Sequence, residues 1–444
     1  MTYHFISSPV ELLQGDITVP GDKSISHRAI MLGAIAQGIT TVHGFLDGED
    51  CLATLHAFES MGVRIERPDG HDVVIHGVGK HGLQKPSTIA RRRDLTLDCG
   101  NSGTSMRLLA GLLSAQSFDS ELTGDDSLKK RPMERIRRPL MEMGADVTAS
   151  EGRPPLLIRG GQSLHGITYK MPEASAQVKS CILLAGMYAS GETCVIEPGL
   201  TRDHTERMLA SFSYPVRQKN NVITINAANE CQGTDITVPG DISSAAFLIV
   251  AATLIPHSEL LIKNVGVNPT RTGILHILKR MGANITISNR RQCGEEPIAD
   301  LLVRHAKLQG IIIPESIVPA AIDEFPVLFI AAACAEGQTL LHGAKELRCK
   351  ESDRIGAMVD GLVRLGIEAK ALDDGIFIRG GTLQGGVVDS HHDHRIAMAF
   401  AIAGAVATAP VTIRDCQNVD TSFPAFVSLA NQINMSIRVV KNEL

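Results

Sequence analysis

The chain holds nine cysteines (Cys51, Cys99, Cys181, Cys194, Cys231, Cys293, Cys334, Cys349 and Cys416) but not one Cys-x-x-Cys pair. Their odd number and scatter argue against a disulfide framework and for reduced, mostly buried thiols in a cytoplasmic protein. Long apolar runs are missing too. The longest, "AAFLIVAATLI" at 245–255, is too short to span a bilayer, and "MTYHFISSPVELLQG" lacks both the basic and the apolar regions of an export signal. No membrane association is expected. Excess positive charge is also absent: Lys plus Arg (43) fall below Asp plus Glu (48), for a net charge of -5. That balance gives no footprint for nucleic acid, although a local basic pocket is compatible with it. What is present is an ordinary globular composition, 44% hydrophobic and 20% charged over 444 residues. Such a length calls for two domains or a repeat architecture.

The repeats are visible. A helical segment ending in a hydrophobic residue, then a glycine, then a β-like segment occurs as "FESMGVRIER" (58–67), "LMEMGADVTA" (140–149), "ILKRMGANITI" (277–287) and "LVRLGIEAKA" (362–371). Two degenerate copies, "MLASFSYPVR" (208–217) and "LANQINMSIRVV" (429–440), complete the series. Gly62, Gly144, Ser213, Gly282, Gly366 and Asn434 are then equivalent points at intervals of roughly 70 to 85 residues. Each sits where a helix C-terminus calls for a left-handed residue. Six related α/β units follow, three per domain.

The heptapeptide "DITVPGD" occurs twice, at 16–22 and 235–241. Each copy is a short β-branched strand closed by Pro-Gly, one at the start and one in the middle of the repeat series. They are expected to be the two crossings between domains, near 20–22 and 238–241, and to act as a hinge that opens and closes a cleft. Only the first continues into "KSISHRAIMLGAIAQG". Ile25, Ala29, Leu32 and Ala36 share one helical stripe there, which puts Lys23 and Ser24 at the helix N-terminus with Arg28 one turn above. Cations, a hydroxyl and open backbone N–H groups at the positive end of a helix dipole attract phosphate or carboxylate.

Other stretches share this character. "GNSGTSMRLLAGLL" (100–113) is a second helix start, with Gly100 and Gly103 permitting close backbone approach and Arg107 following. It lacks the Gly-Lys-Ser/Thr of a P-loop. "SLKKRPMERIRRPL" (127–140) carries Arg131 before Pro132 at an expected helix start. "LRCKESDRIGAMV" (347–359) places Lys350, Glu351 and Arg354 within one expected turn, and "DSHHDHRIAMAFAIAG" (389–404) starts an apolar helix with Arg395. Two apparent motifs are set aside. "GVGKHG" (77–82) matches G-x-G-x-x-G, but "LQKPSTIARRRD" after it does not read as the helix a dinucleotide site needs. His391, His392, Asp393 and His394 are contiguous at a helix start, cannot all face one ion and show no zinc spacing, so no metal is expected.

Taken together, "PGDKSISHRA", "DCGNSGTSMRLLAG", "LKKRPM", "SAQVKS", "DEFPVLFIAAACAEG", "KESDRI" and "DHRIAMAF" closely resemble the 5-enolpyruvylshikimate-3-phosphate synthase family, over nearly the whole chain. The resemblance implies the enolpyruvyl transferase fold, a two-domain inside-out α/β barrel of six βαβαββ repeats. One domain would span 22–238 and the other 1–21 plus 239–444, with helix N-termini aimed into the cleft. It implies a cytoplasmic monomer that joins phosphoenolpyruvate to shikimate 3-phosphate in aromatic amino acid biosynthesis, with no cofactor. Carried over position by position, Lys23, Gly103, Arg131, Gln177, Arg354 and Arg395 would hold phosphoenolpyruvate. Shikimate 3-phosphate would meet Lys23, Ser24, Arg28, Ser175, Arg202, Asp323 and Lys350. Lys23, Asp323 and Glu351 would be catalytic, carrying the protons.

Departures from the commoner bacterial pattern are Ala176 between Ser175 and Gln177, and Thr421 in "TSFP" where a lysine is usual. With "RDHT" (202–205) they are similar to the second class of the family, some of whose members tolerate glyphosate. Thr421 leaves one phosphate contact without its usual lysine. Gly103 stands where tolerant members carry alanine, so tolerance is not implied. UDP-N-acetylglucosamine enolpyruvyl transferase shares the fold but has a cysteine in the loop that here reads "GDDSLKKRP", and no cysteine lies between Cys99 and Cys181. RNA 3'-terminal phosphate cyclase would need a nucleotide site and a basic surface, neither of which is visible. A non-catalytic repeat scaffold would spread its features evenly, yet "KSISHR" has no counterpart in "ISSAAF".

Overall fold

A computed structural model describes residues 2–85 and 96–442. Most of "LQKPSTIARRRD", whose reading argued against a dinucleotide site, lies outside the described residues. The chain forms two compact units. One comprises Lys23–Val238 with the turn Cys293–Glu295, the other Met1–Asp22 with Pro239–Gln292 and Glu296–Leu444.

Among the described residues each unit contains three small sheets built to one plan, a parallel pair extended by two antiparallel strands. In the first unit, Asp235–Thr237 lies parallel to Gln37–His43, which is followed by Val73–Val78 and Arg64–Glu66. Thr96–Asp98 and Thr168–Lys170 start the other two sheets in the same way. In the second unit, Gln14–Thr18 lies parallel to Glu259–Gly266, and Gly386–Asp389 to Val411–Arg414. The third sheet there has three strands, and isolated parallel bridges at Gln309–Glu336 and Ile312–Leu340 take the place of its first pair. The two "DITVPGD" strands are therefore exchanged, the first copy serving a sheet of the second unit and the second copy a sheet of the first.

Hydrophobic pattern decides which layer lies inside. Helices Ile242–Leu254, Phe325–Ala333 and His394–Val406 bury nearly every side chain, as apolar helices do at the centre of a core. Lys23–Ala34, Gly103–Leu113 and Ala176–Gly186 do the same in the first unit. The strands alternate instead; Arg153–Arg159 is buried at every second residue, so one sheet face is solvated. Helices inside and sheets outside result, in each unit separately. A second, outer set of helices ends at the six points expected from the repeats. Gly62, Gly144, Ser213, Gly282, Gly366 and Asn434 all adopt positive φ, between 57° and 100°.

The repeated Pro-Gly segments pair with each other. Gly21 and Gly240 form an antiparallel bridge, Asp22 N–H donates to the Pro239 carbonyl (2.8 Å), and Asp241 N–H to that of Pro20 (2.9 Å). "GVGKHG" serves packing. A Cβ on Gly82 would lie 1.9 Å from the Val78 carbonyl oxygen, and buried Lys80 donates to the carbonyls of Ala227 (2.8 Å) and Met187 (3.3 Å). No single helix among the described residues is long and apolar enough to cross a membrane.

Candidate active site

In the first unit the N-termini of the three inner helices are cross-linked by side chains. His27 bonds Thr54 (2.9 Å) and approaches Ser105 (3.3 Å) and Ser102 (3.4 Å), the latter capping Gly103–Leu113. Gln177 donates to Thr104 (2.9 Å) and accepts from Arg107, tying Ala176–Gly186 to the same place. Arg28 closes the triangle. Its Nε donates to Thr205 (2.7 Å), Nη2 to Ser180 (2.9 Å) and Nη1 to the Ser24 carbonyl (2.9 Å). Ser175 caps its helix by accepting from Val178 N–H (3.4 Å), and half-buried Arg202 sits just before helix His204–Ser211. Lys23 begins its helix paired with buried Asp50.

Arg131 joins this group by a route other than the one expected. Its N–H closes the short turn Leu128–Lys130 on the Leu128 carbonyl (3.0 Å), while the following helix starts only at Glu134, so Pro132 precedes the N-cap rather than opening the helix. The guanidinium is placed by Asn101, which accepts from Nη2 at 2.9 Å. Gly103 lies beneath it: a Cβ there would be 2.9 Å from Arg107 Nη1 and 3.0 Å from Arg131 Nη1. Close approach is thus its role, and its φ is not positive.

In the second unit the site is organised around carboxylates. Arg354, 1% exposed, opens helix Arg354–Arg364, donates from Nε to Asp393 (2.8 Å) and from Nη2 to Glu351 (2.6 Å), and faces Asp323 at 3.5 Å. Its Nη1 makes no hydrogen bond among the described residues. Burial alone would lower the Arg354 pKa, but Asp393, Glu351 and Asp323 outweigh it and push it up, so the group stays charged. Lys350 lies 3.4 Å from both Asp323 and Glu346. Lys350 and Glu351 precede the helix instead of sharing its first turn, because Asp353 is the N-cap. Arg395 is second in helix His394–Val406, half-buried, its N–H held by the capping Asp393 (2.9 Å).

Sequence reasoning did not single out Asn101, which aims Arg131, and named the fully buried Asp393, which holds Arg354, only within the cluster set aside as a metal site. An N-cap aspartate before an apolar helix was the available signal for the latter. Thr421 is buried and donates to the Asn418 carbonyl (2.7 Å). His391 and His392 are exposed at positive φ, and no group of three or more His, Cys, Asp or Glu among the described residues is placed to hold a metal.

The family model described as EPSP synthase (3-phosphoshikimate 1-carboxyvinyltransferase) matches residues 8–429. A protein of that enzyme name from Legionella pneumophila (strain Corby) is 66% identical over 434 residues, covering 98% of this chain and 99% of its own. Its namesake from Methylococcus capsulatus is 57% identical over 436 residues, covering 98% of each. The solved EPSP synthase of Acinetobacter baumannii superposes with a TM-score of 0.87 at 54% identity, covering 99% of this chain and all of its own. Agreement in family pattern, sequence and fold along nearly the whole length has one meaning: this chain belongs to the EPSP synthase family.

Proposed function

We propose that Lys23, the Gly103 backbone, Arg131, Gln177, Arg354 and Arg395 hold phosphoenolpyruvate, and that Ser24, Arg28, Ser175, Arg202, Asp323 and Lys350, with Lys23, hold shikimate 3-phosphate. As a member of its family the chain transfers the enolpyruvyl group to the shikimate 5-hydroxyl and releases phosphate. In the addition step the hydroxyl oxygen bonds to the central carbon of phosphoenolpyruvate, losing its proton to a base while the methylene carbon gains one. In the elimination step the new methyl group returns a proton and the carbon–oxygen bond to phosphate breaks. Lys23, Asp323 and Glu351 carry these protons, and fixed cations balance two phosphates and a carboxylate.

The observation that supports this most is the convergence of three inner-helix N-termini with Lys23, Arg28 and Arg131 in the first unit. Preorganised N–H groups and guanidinium groups bind phosphate oxygens without reorganising during the reaction. Phosphate release from phosphoenolpyruvate tests the reading. Turnover is expected with shikimate 3-phosphate, unchanged in excess EDTA, and none with UDP-N-acetylglucosamine; the opposite acceptor preference, or loss of activity in EDTA, overturns it.

A further inference from the structure

Both copies of "DITVPGD" end in an aspartate that the assignments above do not use. Asp22 and Asp241 are buried, and a single guanidinium takes both: Arg271, 2% exposed, reaches Asp22 through Nη1 (2.8 Å) and Asp241 through Nη2 (3.1 Å). Nη2 also donates to Ser243 (2.7 Å), whose hydroxyl donates to Glu324. Burial opposes the charge on Arg271, but Asp22, Asp241 and Glu324 more than offset it. The backbone supports the same geometry, since each of the two aspartate N–H groups is bonded to the proline carbonyl of the other copy.

The chain neighbours of this cluster give it meaning. Asp22 is followed by Lys23, the first residue of its helix, and Glu324, the N-cap of Phe325–Ala333, is preceded by Asp323. One guanidinium therefore fixes the peptide just before one proton carrier and, through Ser243, the peptide just after another. We infer that Arg271 is a positioning residue for enolpyruvyl transfer, holding the backbone at Lys23 and Asp323 through Asp22 and Glu324. The inference rests on the assignment of Lys23 and Asp323 as proton carriers. It also accounts for an aspartate at the end of both heptapeptides, because one guanidinium presents separate N–H donors, on Nη1 and Nη2, to two carboxylates at once.

A purely structural cluster would behave differently. Asp22 and Asp241 make similar bonds to the same arginine, and asparagine at 241 keeps the helix cap that Asp241 makes by accepting from Ser243 N–H (2.8 Å), so neutralising either should cost similar stability, and only Asp22 adjoins a reacting group. The experiment compares Asp22→Asn with Asp241→Asn by urea unfolding and by steady-state kinetics for both substrates. Asp22→Asn is expected to lower kcat about ten- to a hundredfold with both KM values little changed, while Asp241→Asn stays within about threefold of the parent at a similar unfolding midpoint. Equal kcat values in the two variants, or a kcat loss that simply tracks stability, overturn the proposal. Should Asp22→Asn not fold, Glu324→Gln takes its place, with the same kcat loss expected and unaltered kcat decisive against it. Lys23→Gln separates the two levels of the argument. An active Lys23→Gln would sink the assignment of Lys23, whereas an inactive one beside matched aspartate variants would sink the role of Arg271.

Discussion

Arg28 in one unit and Arg354 in the other are both buried, yet their surroundings differ in kind. Arg28 is gripped by the hydroxyls of Thr205 and Ser180 and by the Ser24 carbonyl. Arg107 and Arg131 lean on Gln177 and Asn101 in the same way. Arg354 is gripped by Asp393 and Glu351 and faces Asp323. Neutral oxygens such as these fix the direction of a guanidinium without adding negative charge of their own, which suits a surface that must accept phosphate. Carboxylates neutralise as they fix, and they leave a network in which protons can be exchanged. On this view the first unit supplies mainly anion binding and the second mainly proton transfer.

The largest effect that could break this contrast concerns stability. Arg354→Met would leave the fully buried Asp393 without its guanidinium, and removing one partner of a buried ion pair costs about 3–5 kcal/mol. Arg28→Met removes the bonds to the Thr205 and Ser180 hydroxyls and the Ser24 carbonyl, and Ser180 and Thr205 remain bonded to each other at 2.6 Å, so a smaller loss, about 1–2 kcal/mol, is expected from these bonds. Urea unfolding of both variants measures the difference. Equal losses would mean that the surroundings of the two arginines are electrostatically alike.

A second, smaller effect sharpens the contrast within the first unit. Gly103→Ala introduces a methyl against the ends of Arg107 and Arg131, both buried, with no left-handed backbone to strain. The guanidinium groups must shift by a few tenths of an ångström, and Arg131 is assigned to phosphoenolpyruvate. Its KM should rise about ten- to two-hundredfold, corresponding to a misfit of roughly 1–3 kcal/mol, while KM for shikimate 3-phosphate, assigned to Arg28, stays within about twofold. Equal changes in the two KM values would show that Gly103 acts on the whole cation set.

Several of these groups could be read from sequence because their signals are local. A left-handed residue after each outer helix is a backbone requirement confined to one turn, which is why even the degenerate copies at Ser213 and Asn434 could be aligned with the glycines and share their positive φ. The N-terminal placement of Lys23, Ser24 and Gly103 follows equally from local helical periodicity. Partnership was not legible. Arg271 grips aspartates 249 and 30 residues away, Arg354 an aspartate 39 residues away, and Arg131 an asparagine 30 residues away. No periodicity encodes such pairs, which exist only once separate repeats are packed. The turn Cys293–Glu295, which belongs with the first unit though the strands on either side belong to the second, gave no compositional sign either.

The smallest effect concerns a carboxylate-rich cluster beside the groups that hold Arg28. Behind Arg28, Lys179 is buried 3.1 Å from Glu197 and 2.5 Å from Glu206, next in sequence to the Ser180 and Thr205 that hold the arginine. Burial pushes the Glu206 pKa above its ordinary value of 4.5, and the opposing pull of Lys179 does not cancel it. The native state therefore holds this proton more tightly than the unfolded chain does. Its contribution to stability is complete below about 4.5 and is lost as the pH rises through the raised native value. Glu206→Gln keeps the shape of the protonated acid at every pH, so it should be more stable than the parent at pH 8, with the gap closing as the pH is lowered toward 4.5. KM for shikimate 3-phosphate should not change, because Arg28 is held by the neighbouring hydroxyls rather than by Glu206. Urea midpoints across that range decide the matter. A variant less stable than the parent at pH 8 would mean that Glu206 is ionised and bound to Lys179.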